Sequence, residues 1–311
     1  MAATSLRTLT YRRAVYVTKK VGLKTLEQYL RAAHKTLLNV EDRSFDLGNG
    51  IVLEGRHHKS TDGGFFLHIA GYTSGEHATV VPKKSKVSEG DLATAPPPSG
   101  AEYMDGDLVL LASDNHVVLS SGGLHEAKAE HFISLLFERA KLEHESGMFN
   151  LEKVADIKKL TILKKEGVRA IHLNTTIHQA TLKHSDRTTI TKKIGGRLWD
   201  ELKVILGEDD RFEDIGDAEN LSAKVSISFD RRKTGAVSGE AITEVARQLI
   251  KENDEGFRIE TLTGDRLSAT DVVLRKIVSL PRYAKTVQYN DVWKELQTYI
   301  EELKESGSLE Q

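Results

Sequence analysis

Short apolar runs closed off by turn-forming residues constrain this chain most. Gly63-Gly64 leads into Phe65-Phe66-Leu67-His68-Ile69-Ala70, and Gly48-Asn49-Gly50 precedes Ile51-Val52-Leu53. Asp105-Gly106-Asp107 opens Leu108 to Leu111, Asp114-Asn115 supplies a turn, Val117 to Leu119 returns, and Gly122-Gly123 ends the pair. Runs this short between such signals predict strands and a hairpin. Helical spacing sits among them. From Thr25 to Leu38 the apolar residues Leu26, Leu30, Ala33 and Leu37 fall at i, i+4, i+7 and i+11, one face of a helix. Ala129, Phe132, Ile133, Leu136 and Ala140 share a face of a second helix running to about His144. Asn290 is placed to cap a last helix with Val292, Leu296, Tyr299, Ile300 and Leu303 inward. Lys83 to Gly100, with Pro96-Pro97-Pro98, reads as an exposed loop.

The second half carries the same mixture. Val168 to Leu173 and Phe257 to Thr261 read as strands, the latter followed by a turn at Thr263-Gly264-Asp265. Val225, Ile227 and Phe229 alternate with polar neighbours, the period of a half-buried strand. Leu198 to Leu206 and Gly239 to Ile250 read as helices, the second with Ile242, Val245, Ala246 and Leu249 on its buried face. The expected class is α+β, with mixed or antiparallel sheets flanked by helices. A chain of 311 residues exceeds one ordinary core, so two domains are expected, 1–146 and 147–311, parting near Ser146-Gly147.

Charged residues make up 29% of the chain and no apolar run nears the ~18 residues of a membrane span, which points to a water-soluble globular protein. The N-terminal cations Arg7, Arg12, Arg13, Lys19 and Lys20 precede no apolar leader segment. Without cysteine there is no disulfide framework, zinc ribbon or thiol chemistry. A cytoplasmic location is the expectation.

The net charge of −2 hides a strong separation. Lys153 to Arg197 holds eleven Lys and Arg against three acids, a balance of +8, and Asp200 to Glu219 holds nine acids against two bases, a balance of −7. A local field of this kind favours polyphosphate, through Coulomb attraction and counterion release. The candidate contacts are Lys158, Lys159, Lys164, Lys165, Arg169, Lys183, Arg187, Lys192, Lys193 and Arg197, interleaved with Asn174, Thr175, Thr176, Thr188 and Thr189 as phosphate donors. The plain alternative is a solvated face. No aromatic interrupts the belt before Trp199, so stacking on single-stranded bases has no support and duplex backbone is the expected target.

Asp230-Arg231-Arg232-Lys233-Thr234-Gly235 follows a strand, and either grips phosphate or solubilises a hairpin tip. The acidic run from Glu208 to Asp214 either mimics phosphate over the belt or is an acidic loop. His172, His178 and His184 recur every six residues. Along one strand that spacing puts neighbours about 20 Å apart, too far to share a metal. Glu54 and Asp62 near His57 are candidates for a small acid–base or metal site, and no nuclease, P-loop, serine-hydrolase or zinc-protease motif accompanies them. No cofactor motif is present.

The order of Tyr11-Arg12-Arg13, Asp105-Gly106-Asp107, Leu202-Lys203-Val204-Ile205-Leu206-Gly207, the segment Ala223 to Lys233, and Phe257-Arg258-Ile259 with Gly264-Asp265 resembles the RexA family of phage lambda exclusion proteins. The likeness is strongest over roughly the last 120 residues. Pro96-Pro97-Pro98 and the histidine spacing have no counterpart in that family. The resemblance implies a cytoplasmic homodimer of hinged domains that binds DNA with little sequence preference and signals to a membrane-protein effector in superinfection exclusion or abortive infection. It carries a DNA-contact role to Arg231, Arg232 and Lys233, and to Lys192, Lys193 and Arg197. The expectation is a phage-defence protein sensing duplex DNA. The alternatives are a metal-dependent nuclease using Glu54, His57 and Asp62, or a protein–protein module docking through its acidic block or terminal helix.

Overall fold

A computed structural model describes residues 3–18, 20–48, 50–83, 89–154, 156, 165–166, 168–176, 222–228, 257–268, 271 and 273–309. The protein is α+β. It divides into two compact units, Met1–Glu152 with Arg275–Gln311, and Lys153–Leu274.

The first unit is built on a nine-stranded sheet. Its strands are β1 (Thr4–Tyr16), β2 (Ser44–Asp46), β3 (Ile51–Thr61), β4 (Gly64–Thr73), β7 (Met104–Ser113), β8 (His116–Gly122), β9 (Phe149–Lys153), β14 (Arg275–Tyr283) and β15 (Thr286–Val287). They run in the order β15-β14-β1-β8-β7-β4-β3-β2, with β9 also pairing β1. Ladders along that path are antiparallel. Between β4 and β7 the chain makes a small ribbon of β5 (Ala78–Val80) and β6 (Ala93–Ala95). The stretch expected to be loop over 83–100 thus contains one short strand.

Three helices pack on this sheet. Helix α1 (Leu26–Thr36) starts at Thr25, whose side chain accepts from the Gln28 amide while Gln28 reaches back to the Thr25 amide, a capping box. Asn115 Oδ1 accepts from the Leu26 amide at 2.8 Å, so the β7–β8 turn docks on the helix start. At the other end the buried Arg43 guanidinium donates to the carbonyls of Leu37 and Leu38, satisfying groups the helix leaves open. Helix α2 (Ala127–Arg139) ends five residues before the expected His144. Lys141 adopts φ 54°, which breaks the helical path.

Alternation along β4 and β7 assigns their two faces. Phe65, Leu67, Ile69, Leu108, Leu110 and Ala112 join one core with Leu26, Leu30, Phe132 and Leu136 of α1 and α2. Phe66, His68, Val109 and Leu111 point to the opposite face, where Phe66 meets Trp293 of α3 (Tyr289–Glu305) with ring centroids 5.5 Å apart. Because helices cover both faces, β4 and β7 read as continuous apolar runs and do not alternate. Helix α3 buries the expected Val292, Leu296, Tyr299, Ile300 and Leu303, and Trp293 as well. Its cap is Gln288, so Asn290 lies inside the first turn.

The expected division at Ser146-Gly147 is corrected by these contacts. Ser146 is buried beside α2, β9 pairs with β1, and β14 registers Thr4 opposite Pro281. Residues 275–311 therefore complete the first sheet and cover its second face, and the first unit is discontinuous in sequence.

Gly122 sits where β8 passes Arg7 and Asp107, and a Cβ there would overlap both side chains. Gly122→Ala is expected to lower stability by about 2 kcal/mol, the scale of overpacking. A urea midpoint equal to wild type would show that the neighbours yield.

The second unit contains β10 (Val168–Thr176), β11 (Ser222–Ser228), β12 (Phe257–Thr261) and β13 (Arg266–Ser268) in the antiparallel order β11-β10-β12-β13. Ile171 pairs with Ile259 and both are buried. The helices expected over 198–206 and 239–250 and the acidic run lie outside the described residues. No described helix is long and apolar enough to cross a membrane.

Candidate functional site

Of the predicted DNA-contact residues the structure describes Lys165 and Arg169, and both are exposed. Lys158, Lys159, Lys164, Lys183, Arg187, Lys192, Lys193, Arg197, Arg231, Arg232 and Lys233 lie outside the described residues. Arg169 stands between buried Val168 and Ala170, where the β10–β12 register shifts. On β12 and β13 the register sets Arg258 opposite His172 and Arg266 opposite Glu260, on the side away from Ile171 and Ile259. Glu260 lies 3.8 Å from Arg266 Nε and 3.9 Å from His172 Nε2. Arg258 and Arg266 are exposed cations that the charge count along the chain passed over. They fall far from the belt in sequence, and only antiparallel pairing brings Arg258 beside it.

Glu54, His57 and Asp62 do not form a centre. Glu54 accepts from Tyr72 Oη at 2.8 Å and pairs with Arg56 at 2.9 Å. Burial and that bond push the Tyr72 hydroxyl up to about 12. Asp62 sits in the turn at the far end of β3, roughly 26 Å from Glu54 at strand rise. Among the described residues no three His, Asp or Glu side chains are placed to hold a metal ion. His178 and His184 lie outside the described residues.

A different set converges on the α3 face of the first sheet. Arg7 Nη2 donates to Asp107 Oδ1 and to Thr286 Oγ1, each at 2.8 Å. His68 Nε2 stands 3.6 Å from Asp107 Oδ2, an ion-pair distance. Burial alone would raise the Asp107 carboxyl; the His68 ring and the Arg7 guanidinium outweigh it and hold the group below the usual range. Above these groups three rings lie nearly parallel. Tyr289 stacks on His57 at 4.1 Å and on His68 at 5.2 Å, and the two imidazoles are 5.6 Å apart. Burial, then the neighbouring His68 and Arg56 charges, push His57 down. The Asp–His pair has the orientation logic of a general-base dyad, yet the His68 Nδ1 is buried with no partner among the described residues. The cluster therefore binds β1, β4, β7 and β15 together. Its sequence trace was faint: a single histidine inside the apolar run 65–70.

Beside the rings runs a groove. Tyr289, Trp293 and Gln297 follow one another at i, i+4 and i+8 along α3, over the cross-strand pairs His57–His68 and Lys59–Phe66 and over Gly63. The open space of about 580 Å³ lies between Lys59 and Phe66 on one side and Asn290, Trp293, Lys294 and Gln297 on the other.

Comparison with known proteins finds no matching family model and no matching curated protein.

Proposed function

We propose that this protein binds duplex DNA without base specificity through its second unit, and acts as a DNA sensor in phage exclusion. The observation that carries the reading is the +8 balance from Lys153 to Arg197. Exposure of Lys165 and Arg169, with Arg258 and Arg266 on the adjoining strands, supports it. Phosphate contacts position a protein without conveying base identity, which fits exposed cations spread along the strands of a sheet. The resemblance to RexA proteins adds a homodimer and a membrane-protein effector to the proposal.

The test is affinity for a short duplex across a salt series. Several phosphate contacts give a log–log slope of about −4 or steeper. Lys165→Glu with Arg169→Glu is expected to flatten that slope by about 2 and weaken low-salt binding at least ~10-fold while circular dichroism stays unchanged. A folded double variant that binds as wild type removes these side chains from the interface. Absence of binding at low salt removes the DNA reading.

A further inference from the structure

Among the described residues the outer side of β3 is paired by β2 at Val52, Leu53 and Glu54, and the Arg43 guanidinium donates to the Gly55 carbonyl just beyond. Beyond that, Arg56, His57, His58, Lys59 and Ser60 are all exposed, and no described strand pairs with them opposite β4. Alternate residues of such an edge present unpaired N–H and C=O groups, a template for another strand. The groove under α3 follows the same stretch, with Lys59 on β3 and the rings of Phe66 and Trp293 as its apolar floor. An edge strand beside a helix-walled groove is the geometry by which main-chain bonds supply affinity and a side-chain pocket supplies selectivity.

We propose that the open edge of β3, with the groove under α3, binds an extended acidic peptide segment of a partner protein by strand addition. The charge of the edge selects the occupant. Arg56 to Lys59 carries two permanent cations and no acid. Arg56 is paired with Glu54 and Lys294 with Asp291, whereas Lys59 makes no ion pair among the described residues. A second copy pairing antiparallel about His57 and His58 would set Arg56 against Lys59, like charges directly opposite. An acidic strand meets a cation on each face instead, Arg56 on one and Lys59 on the other, and can drop an apolar side chain against Trp293.

The test uses the full chain carrying Trp199→Phe, so that Trp293 reports alone, and an acetylated, amidated peptide repeating Glu-Glu-Val-Leu, which puts a glutamate and an apolar side chain on each face of an extended strand. The expected result is a saturable change in Trp293 emission with slowed amide exchange over residues 56–60. Lys59→Glu should weaken this peptide about tenfold and improve binding of its counterpart with lysine for glutamate. The Lys165→Glu, Arg169→Glu variant should bind the peptide unchanged, which separates this site from the DNA reading. Equal binding of the two peptides, or binding of neither, overturns the proposal. So does edge protection that grows with protein concentration alone, which would make a second copy the occupant. Displacement of the peptide signal by an oligonucleotide would assign the groove to nucleic acid and likewise overturn it.

Discussion

Asp107→Ala is expected to destabilise the first unit by about 3–5 kcal/mol, the cost of leaving one partner of a buried ion pair alone. Asp107 is 1% exposed and Arg7 6% exposed, so water cannot take over the lost partnership. The Arg7 guanidinium would keep Thr286 Oγ1 as its one described acceptor, with Nη1 already unpartnered. Removing both charges is a different perturbation. Arg7→Met with Asp107→Leu removes both ions of that pair, and should recover most of the loss, because an apolar pair of similar volume is often neutral against a buried ion pair. Urea unfolding reads both, as a shift of midpoint at unchanged slope. A loss below about 1 kcal/mol for Asp107→Ala would mean that solvent reaches the pair.

That pair also marks where sequence reasoning stops. Arg7 and Asp107 are 100 residues apart, and Arg7 and Thr286 are 279 apart. Nothing local signals such a meeting. It follows from β1 taking β14 on one side and β8 on the other, a choice made by tertiary packing. Elements with local causes were legible. The Asp114-Asn115 turn, with Asp114 at φ 53°, and the stripe Leu26, Leu30, Ala33 and Leu37 of α1 both write their geometry into nearby residues. The face of α3 was legible from its spacing, while its membership of the first unit was not, since an amphipathic stripe does not name the sheet it covers.

Candidate sites divide in the same way. The separation of charge between Lys153 and Glu219 is a property of the sequence and needs no fold to be seen. The trio Glu54, His57 and Asp62 misled because closeness along a strand is distance in space, and alternation turns neighbouring side chains to opposite faces. His57 and His58 illustrate this: one lies under Tyr289 on the α3 face, the other packs on Phe65 and His34 on the α1 face. The β3 edge was invisible in the sequence because it depends on β2 being three residues long beside an eleven-residue partner.

His34 should make the protein lose stability between about pH 6.5 and pH 3. It lies in the last turn of α1, where its Nδ1–H donates to the Leu30 carbonyl at 2.9 Å and its buried Nε2 has no partner among the described residues. His58 and Phe65 close over the ring at 4.6 and 4.7 Å. A helix C-terminus favours a cation by about 0.3–1 kcal/mol. Burial outweighs that and, with the nearby His58 and Arg43, pushes the imidazole down to about 3. An unfolded chain takes this proton below about pH 6.5 while the folded chain refuses it, so stability falls as pH drops through that window. By pH 4 the loss from His34 alone is about 3 kcal/mol. His57 and His58 are displaced in the same direction and steepen the decline. Asp107, held below its usual value, adds stability above about pH 4 that is lost only on further acidification, so its effect is distinguishable. His34→Phe keeps a ring against Phe65 and has no proton to accept. Its urea midpoints between pH 7.5 and pH 4 should run flatter than wild type by about 3 kcal/mol. Parallel curves for the two proteins would place the acid sensitivity elsewhere.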